Sequence, residues 1–295
     1  MIRWPGGFVM QEQYGTRRAA QTTRLPIVRT RSDFDVTVSL NSETFMSTIN
    51  QSQRNWVLER TVDELVTDLQ TLGSLTKRFV RGSTRTEIAG QWETTHADYA
   101  SEELSIAGQQ VMQRWETPLM KAMAEIVTGT HGDVLEIGFG MGISADFIQQ
   151  NGTKTHTIIE CNADVLSAAR EWERGYTGRD IYLVEGRWQD AIDQSKTYDA
   201  VLFDTYPLNE SEFLKTVVES VTFAEHFFPT AAQVLRPGGV FTYYTNEIDS
   251  FSRRHQRSLF QHFRSITLSV VRPREPPNDC NYWWADSMAV VRAVK

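Results

Sequence analysis

The sequence predicts a doubly wound α/β sheet, and three observations carry that expectation. Strand-like apolar runs recur from about residue 132: "DVLEI", "HTIIE", "IYLVEG", "YDAVLFD" and "GVFTYYT". Segments of helical spacing separate them, at 141–151, 162–174 and 216–235. The first run also leads directly into a glycine cluster. Strands that alternate with amphipathic helices join by right-handed crossovers into a parallel sheet with helices on both faces.

Upstream, residues 13–31 carry Arg17, Arg18, Arg24, Arg29 and Arg31 with no acid. Residues 1–31 therefore read as a disordered basic arm, with a transit peptide as the alternative. "DVTVSL" alternates as a strand, and Thr61 with Glu64 forms a capping-box pattern before Val62, Leu65, Val66, Leu69 and Leu72. Residues 32–90 thus read as a small N-terminal α/β unit, whose expected role is packing or a homodimer contact. Residues 91–295 form the main domain. Within it, "RPGG" at 236–239 is expected to end a helix before the last of the five runs.

The formal charge is −7 and the pI about 5.5. A nucleic-acid partner is not expected, because neutralising phosphates requires a basic surface. No apolar run approaches the roughly 20 residues of a membrane span, and there is no signal-peptide core. Cys161 and Cys280 are the two cysteines. A disulfide framework is not implied, the thiols read as inert, and a cytoplasmic location is the default.

In "VLEIGFGMG", Gly138, Gly140 and Gly142 follow the first strand at the start of a helix. Such glycines let a ligand approach the backbone, but the spacing is not that of a dinucleotide loop, and Glu136 lies within it. Glu160 ends the second strand about twenty residues on, where this fold places an acid against ribose hydroxyls. In "EGRWQD", Trp188 offers a stacking face or a core side chain, and Asp190 an acceptor for an adenine amino group. An adenosine without phosphates fits these features. S-adenosyl-L-methionine is such a molecule, and its sulfonium suits acidic surroundings.

Asp204 ends the fourth strand, at the sheet edge where open α/β folds bind ligands. Burying that carboxylate is costly unless a cation meets it. Glu116 sits in the otherwise apolar "VMQRWETPLM", either as a second site acid or as a partner of Arg114. Two carboxylates beside a methyl donor suit a guanidinium, whose planar fork binds them in bidentate pairs. They can orient one nitrogen, polarise it and accept its proton. His255 and His262, in "RRHQRSLFQH", read as solvated helix residues, and no metal site is expected.

Taken in order, "VMQRWETPLM", "VLEIGFGMG", "HTIIECN", "EGRWQD", "FDTYPL", "LRPGGVFTY" and "DCNYWW" resemble the guanidinoacetate methyltransferase family over about residues 92–295. The resemblance implies a class I S-adenosylmethionine-dependent methyltransferase fold, a seven-stranded Rossmann-like sheet with one antiparallel strand. It implies that Glu116 and Asp204 hold the guanidino group, with Tyr206 beside them, and that Glu160 holds the ribose. Glu136, Ile137, Gly138, Phe139, Gly140 and Met141 would contact the cofactor, as would Met112, Met120, Cys161, Asn162, Arg187 and Trp188. Trp92 and Tyr99, in "WETTHADYASEEL", resemble the family's aromatic flap.

The chain departs from the family after the fifth strand, where "YYTNEIDSF" brings Glu247 and Asp249. If these acids line the pocket they favour an acceptor with an α-ammonium, and L-arginine is the simplest. The alternative is that they cap a helix or face solvent. The expected activity is therefore guanidino N-methylation of a small molecule, L-arginine ahead of guanidinoacetate. Protein-arginine methylation and a non-catalytic cofactor-binding module are the rivals.

Overall fold

The computed structural model describes residues 36–37 and 92–295, apart from 206, 208–211, 213–219, 246, 248, 274–275, 281 and 284. The basic arm, the capping box at Thr61 and Glu64, the expected dimer contact and Tyr206 all lie outside the described residues.

Eight strands form the main sheet: β1 (Val36–Thr37), β5 (Asp133–Ile137), β6 (Thr155–Glu160), β7 (Ile181–Glu185), β8 (Tyr198–Phe203), β9 (Leu235–Thr245), β10 (Ser265–Val271) and β11 (Met288–Val294). Their order is β1-β10-β11-β9-β8-β5-β6-β7. β5 to β9 pair in parallel, and β11 runs antiparallel to both β9 and β10. Setting aside the two-residue β1 at the edge, this is the seven-stranded class I methyltransferase sheet with one reversed strand. β1 comes from the "DVTVSL" run and pairs with β10, Val36 opposite Leu268.

Several connecting and flanking segments matter for the site. A meander of β2 (Ala97–Tyr99), β3 (Glu103–Ile106) and β4 (Gln109–Gln113) makes a second, three-stranded antiparallel sheet. A 3-10 turn at Arg114–Glu116 leads into α1 (Thr117–Thr128). Next come α2 (Ile143–Asn151), α3 (Ala163–Glu173) and the short α4 (Trp188–Ala191). A 3-10 turn at Phe223–Phe227 runs into α5 (Phe228–Val234), and α6 (Arg253–Phe260) follows β9.

Period-two alternation divides the core between the sheet's faces. On β8, Val201 and Phe203 join an aromatic cluster with Phe227, Phe228, Phe241 and Tyr243. Ala200 and Leu202 face the other way, against α1. That helix starts with Pro118 in its first turn, a position that does not need the missing N–H. Leu119, Met120, Met123, Ala124 and Val127 then recur at three- and four-residue spacing and are fully buried. Each of its large apolar side chains contributes roughly 1.5–3 kcal/mol by leaving water. Leu119→Ala would loosen the turn that carries Glu116.

Two expectations differ from the structure. "RPGG" does not separate helix from strand: β9 begins at Leu235 and contains it. The register against β8 shifts there, from Tyr198 opposite Leu235 to Ala200 opposite Val240. His255 is not solvated but fully buried. α6 lays it among Phe228, Tyr243 and Phe251, where its Nδ1 meets Glu247 Oε2 at 2.6 Å and its Nε2 the Tyr243 hydroxyl at 2.5 Å.

Candidate active site

A cavity opens at the carboxyl ends of the parallel strands, with the β2–β4 sheet as one wall. On one side of it stands the glycine loop. Gly138, at φ +90°, packs so close to the Asp204 carbonyl oxygen that a Cβ would overlap it. At Gly140 a Cβ would come within 2.9 Å of Met112 Sδ, the sulfur that also accepts the Met141 N–H at 3.3 Å. Both glycines are thus required by close packing of the loop against Asp204 and Met112, and both line the cavity.

Glu160 ties this loop to the end of β6. One oxygen accepts the N–H groups of Cys161 and Asn162, both at 2.8 Å, and the other accepts that of Phe139 at 2.9 Å. A carboxylate has about four acceptor sites, so one remains for a ligand hydroxyl. Asn162 caps α3 through Oδ1, while its Nδ2 donates to the carbonyls of Trp92 and Thr95. Arg187 pairs with Glu93. Together these contacts strap residues 92–96 across the site, with Trp92 on its wall. Trp188 also lines the cavity, and its ring meets Phe203 and Phe227 edge-on. Burial pushes the Cys161 thiol up to about 12, which leaves it protonated.

The opposite side holds the two acids. Glu116 closes the 3-10 turn and is 3% exposed. Its Oε1 accepts the Gln113 N–H at 2.8 Å and the Tyr282 hydroxyl. Asp204 follows β8, its N–H bonded to the Ile137 carbonyl at 3.0 Å, and the partly buried residue lines the cavity. Burial raises both acids, Glu116 to about 7 against the pull of its two donors, and Asp204 to about 8 with added repulsion from Glu116 and Glu136. No described cation offsets either shift. Tyr244, Tyr282 and Trp283 complete this wall.

The structure brings together Glu116, Asp204, Trp92, Met112, Ile137, Gly138, Gly140, Glu160, Cys161, Arg187 and Trp188 around one cavity. Other expected residues lie behind it. Met120 is in the core beside Met123 and Val290. Glu136 is fully buried, accepting from the Ser144 hydroxyl and from His156 Nε2 at 2.8 Å, while Gln149 Nε2 meets His156 Nδ1 at 3.0 Å. Phe139 packs edge-on against Trp172. Asp190, Asn162 and Tyr99 do not line the cavity; the Tyr99 hydroxyl donates to the Gly140 carbonyl at 3.2 Å. Glu247 is committed elsewhere, to His255 and to the Ser252 N–H at 3.0 Å.

The sequence reading missed Tyr244 and Tyr282, and the wall supplied by Leu104, Ile106 and Gln110. The aromatic run in "DCNYWW" was the available signal for Tyr282; strands of three to five residues gave none for the meander. Among the described residues no cluster of His, Cys, Asp and Glu could hold a metal, and no helix is long and apolar enough to cross a membrane.

The chain is 32% identical over 143 residues to protein arginine N-methyltransferase 2 of Eremothecium gossypii, covering 45% of this chain and 32% of that protein. It is 30% identical over 145 residues to the protein of the same name from Saccharomyces cerevisiae, again covering 45% and 32%. The chain therefore spans about a third of the length of these relatives. Among solved structures it is similar to spermidine synthase from Thermotoga maritima, with a TM-score of 0.49, 16% identity and coverage of 68% and 72%. The guanidinoacetate N-methyltransferase family matches residues 79–253, well over half of the chain, which therefore belongs to that family.

Proposed function

We propose that the protein is an S-adenosylmethionine-dependent N-methyltransferase that acts on a guanidino group. The observation that carries this reading is the meeting of Glu116 and Asp204 in one cavity, both raised by burial, with no described cation to neutralise them. A guanidinium supplies the missing charge and, in its planar fork, the missing donors.

The residues on the other wall fit the cofactor. Gly138 and Gly140 line the cavity beside the place for a ligand, the free acceptor site of Glu160 suits a ribose hydroxyl, and Trp188 with Trp92 offers aromatic surface. Bound there, S-adenosylmethionine would supply an electrophilic methyl group on a sulfonium. The chain's own work is at the acceptor. The two carboxylates draw the guanidinium charge onto the nitrogens they contact, which leaves a lone pair on the remaining nitrogen. As that nitrogen gains a methyl group it must lose a proton, and a carboxylate with a raised pKa is matched to take it near neutral pH.

The preference for L-arginine over guanidinoacetate rested on Glu247 and Asp249; Glu247 is engaged by His255 and Ser252, Asp249 is exposed, and neither lines the cavity. The proposal therefore stops at the guanidino class. A protein-bound arginine presents the same guanidinium, and the names of the relatives put it in the same test. Purified protein is incubated with labelled methyl donor and L-arginine, guanidinoacetate, agmatine or an arginine peptide. A methylated guanidino product from any of them supports the reading, and its absence from all four overturns it.

A further inference from the structure

Tyr282 lies in the connection between β10 and β11, 166 residues along the chain from Glu116. Its hydroxyl donates to Glu116 Oε1, the oxygen that already accepts the Gln113 N–H at 2.8 Å. Its ring stacks on Trp115, with centroids 6.2 Å apart and planes at 28°. Trp115 is itself held: its Nε1–H donates to Gln113 Oε1 at 2.9 Å, and Gln113 Nε2 donates to Glu103 Oε2 at 2.7 Å. The acid is gripped from two directions on a single oxygen. No hydrogen bond from a described residue reaches its Oε2.

We propose that Tyr282 is a positioning residue for the acceptor: it locks the Glu116 carboxylate in one orientation and occupies Oε1, so that Glu116 presents Oε2 alone to the guanidino group. This rests on the guanidino reading above. The two acids are then unequal. Glu116 makes a one-oxygen contact of fixed direction, while Asp204, to which no described side chain donates, keeps both oxygens for the planar fork. Burial and the neighbouring Glu116 charge push the Tyr282 phenol up, so it stays protonated and acts as a donor throughout the working range. A donor on a carboxylate favours the ionised form, so Tyr282 also keeps Glu116 ready for a cation.

The test is Tyr282→Phe, which keeps the stacked ring and removes the hydroxyl. KM for the best guanidino acceptor should rise by about tenfold or more, as loss of a hydrogen bond to a charged group implies. The rise of kcat/KM with pH should move to higher pH, and the Kd for S-adenosylhomocysteine should hold. In a Glu116→Gln background the same change should have much less effect, because the partner is gone. If Tyr282→Phe fails to bind S-adenosylhomocysteine, 3-fluorotyrosine at position 282 replaces it. That stronger donor should move the pH profile the opposite way, and an unmoved profile overturns the proposal. An acceptor KM and pH profile equal to wild type in Tyr282→Phe overturns this inference and leaves the guanidino reading standing. A wild-type protein that methylates no guanidino acceptor overturns both.

Discussion

The two walls of the cavity treat their acids differently. On the glycine-loop wall, Glu160 accepts three backbone N–H groups, and behind it Glu136 is met by Ser144 and His156. On the opposite wall, Glu116 has two donors on one oxygen and Asp204 has none among described side chains. The first wall is complete as a piece of protein: its carboxylates organise the loop whether or not anything is bound. The second is electrostatically unfinished, since a buried Glu116 and a partly buried Asp204 facing one cavity cannot both ionise cheaply without a cation. On the proposed reading, binding the methyl donor and binding the acceptor are thus different physical problems, the first solved by backbone hydrogen bonding and the second by charge.

The sharpest break of that contrast is Asp204→Asn. It preserves shape and removes the charge and, on the proposed reading, the proton acceptor together, so turnover should fall on the order of 10²-fold or more. Calorimetric affinity for S-adenosylhomocysteine should be nearly unchanged. Near-normal turnover would mean that the acceptor wall is not where the chemistry happens.

On the other wall, Glu160→Ala should act on the cofactor and on the fold at once. It releases three N–H groups and, on the proposed reading, the acceptor of a ribose hydroxyl, so binding of S-adenosylhomocysteine should weaken by roughly 1.5–3 kcal/mol. The melting temperature should drop as the Phe139 and Asn162 N–H groups lose their partner. An unchanged dissociation constant would show that the carboxylate serves the loop alone.

Glu247→Gln gives the smallest effect and tests whether a third acid belongs to either wall. Breaking its contact with the buried His255 should cost about 1–3 kcal/mol of stability, read by denaturant unfolding. The ranking of acceptors by kcat/KM should stay as in the wild type. A change in the preference for L-arginine over guanidinoacetate would instead return Glu247 to the acceptor site.

Much of the parallel sheet was legible because β5 to β8 are each an apolar run closed by a glycine or an acid. "DVLEI" coincides with β5 and "YDAVLFD" with β8 plus Asp204. The two catalytic candidates were legible for the same reason: a carboxylate in an apolar context needs explaining. What failed to show was where neighbouring side chains point. Glu136 lies in the glycine motif, yet both faces of β5 are covered, so its carboxylate goes to Ser144 and His156. Met120 follows Glu116 by one helical turn but faces Met123 and Val290. His255 looked exposed because five polar residues surround it in "RRHQRS", and only the tertiary packing of α6 on the aromatic cluster buries it. Tyr282 could not be linked to Glu116 by any local pattern, since the chain closes that contact across the whole domain.

The claim that a guanidinium completes the unfinished wall is tested most directly by counting protons. An acid whose pKa is raised in the empty site is largely protonated below that value, and pairing with a cation forces it to ionise. With Glu116 raised to about 7 and Asp204 to about 8, binding of a guanidino acceptor to the S-adenosylhomocysteine complex should release protons below those values. Calorimetry in buffers of different ionisation enthalpy at about pH 6.5 should then register release approaching one proton or more, declining as the pH passes about 8. Acceptor binding with no proton release at the lower pH, or with proton uptake, would contradict the account.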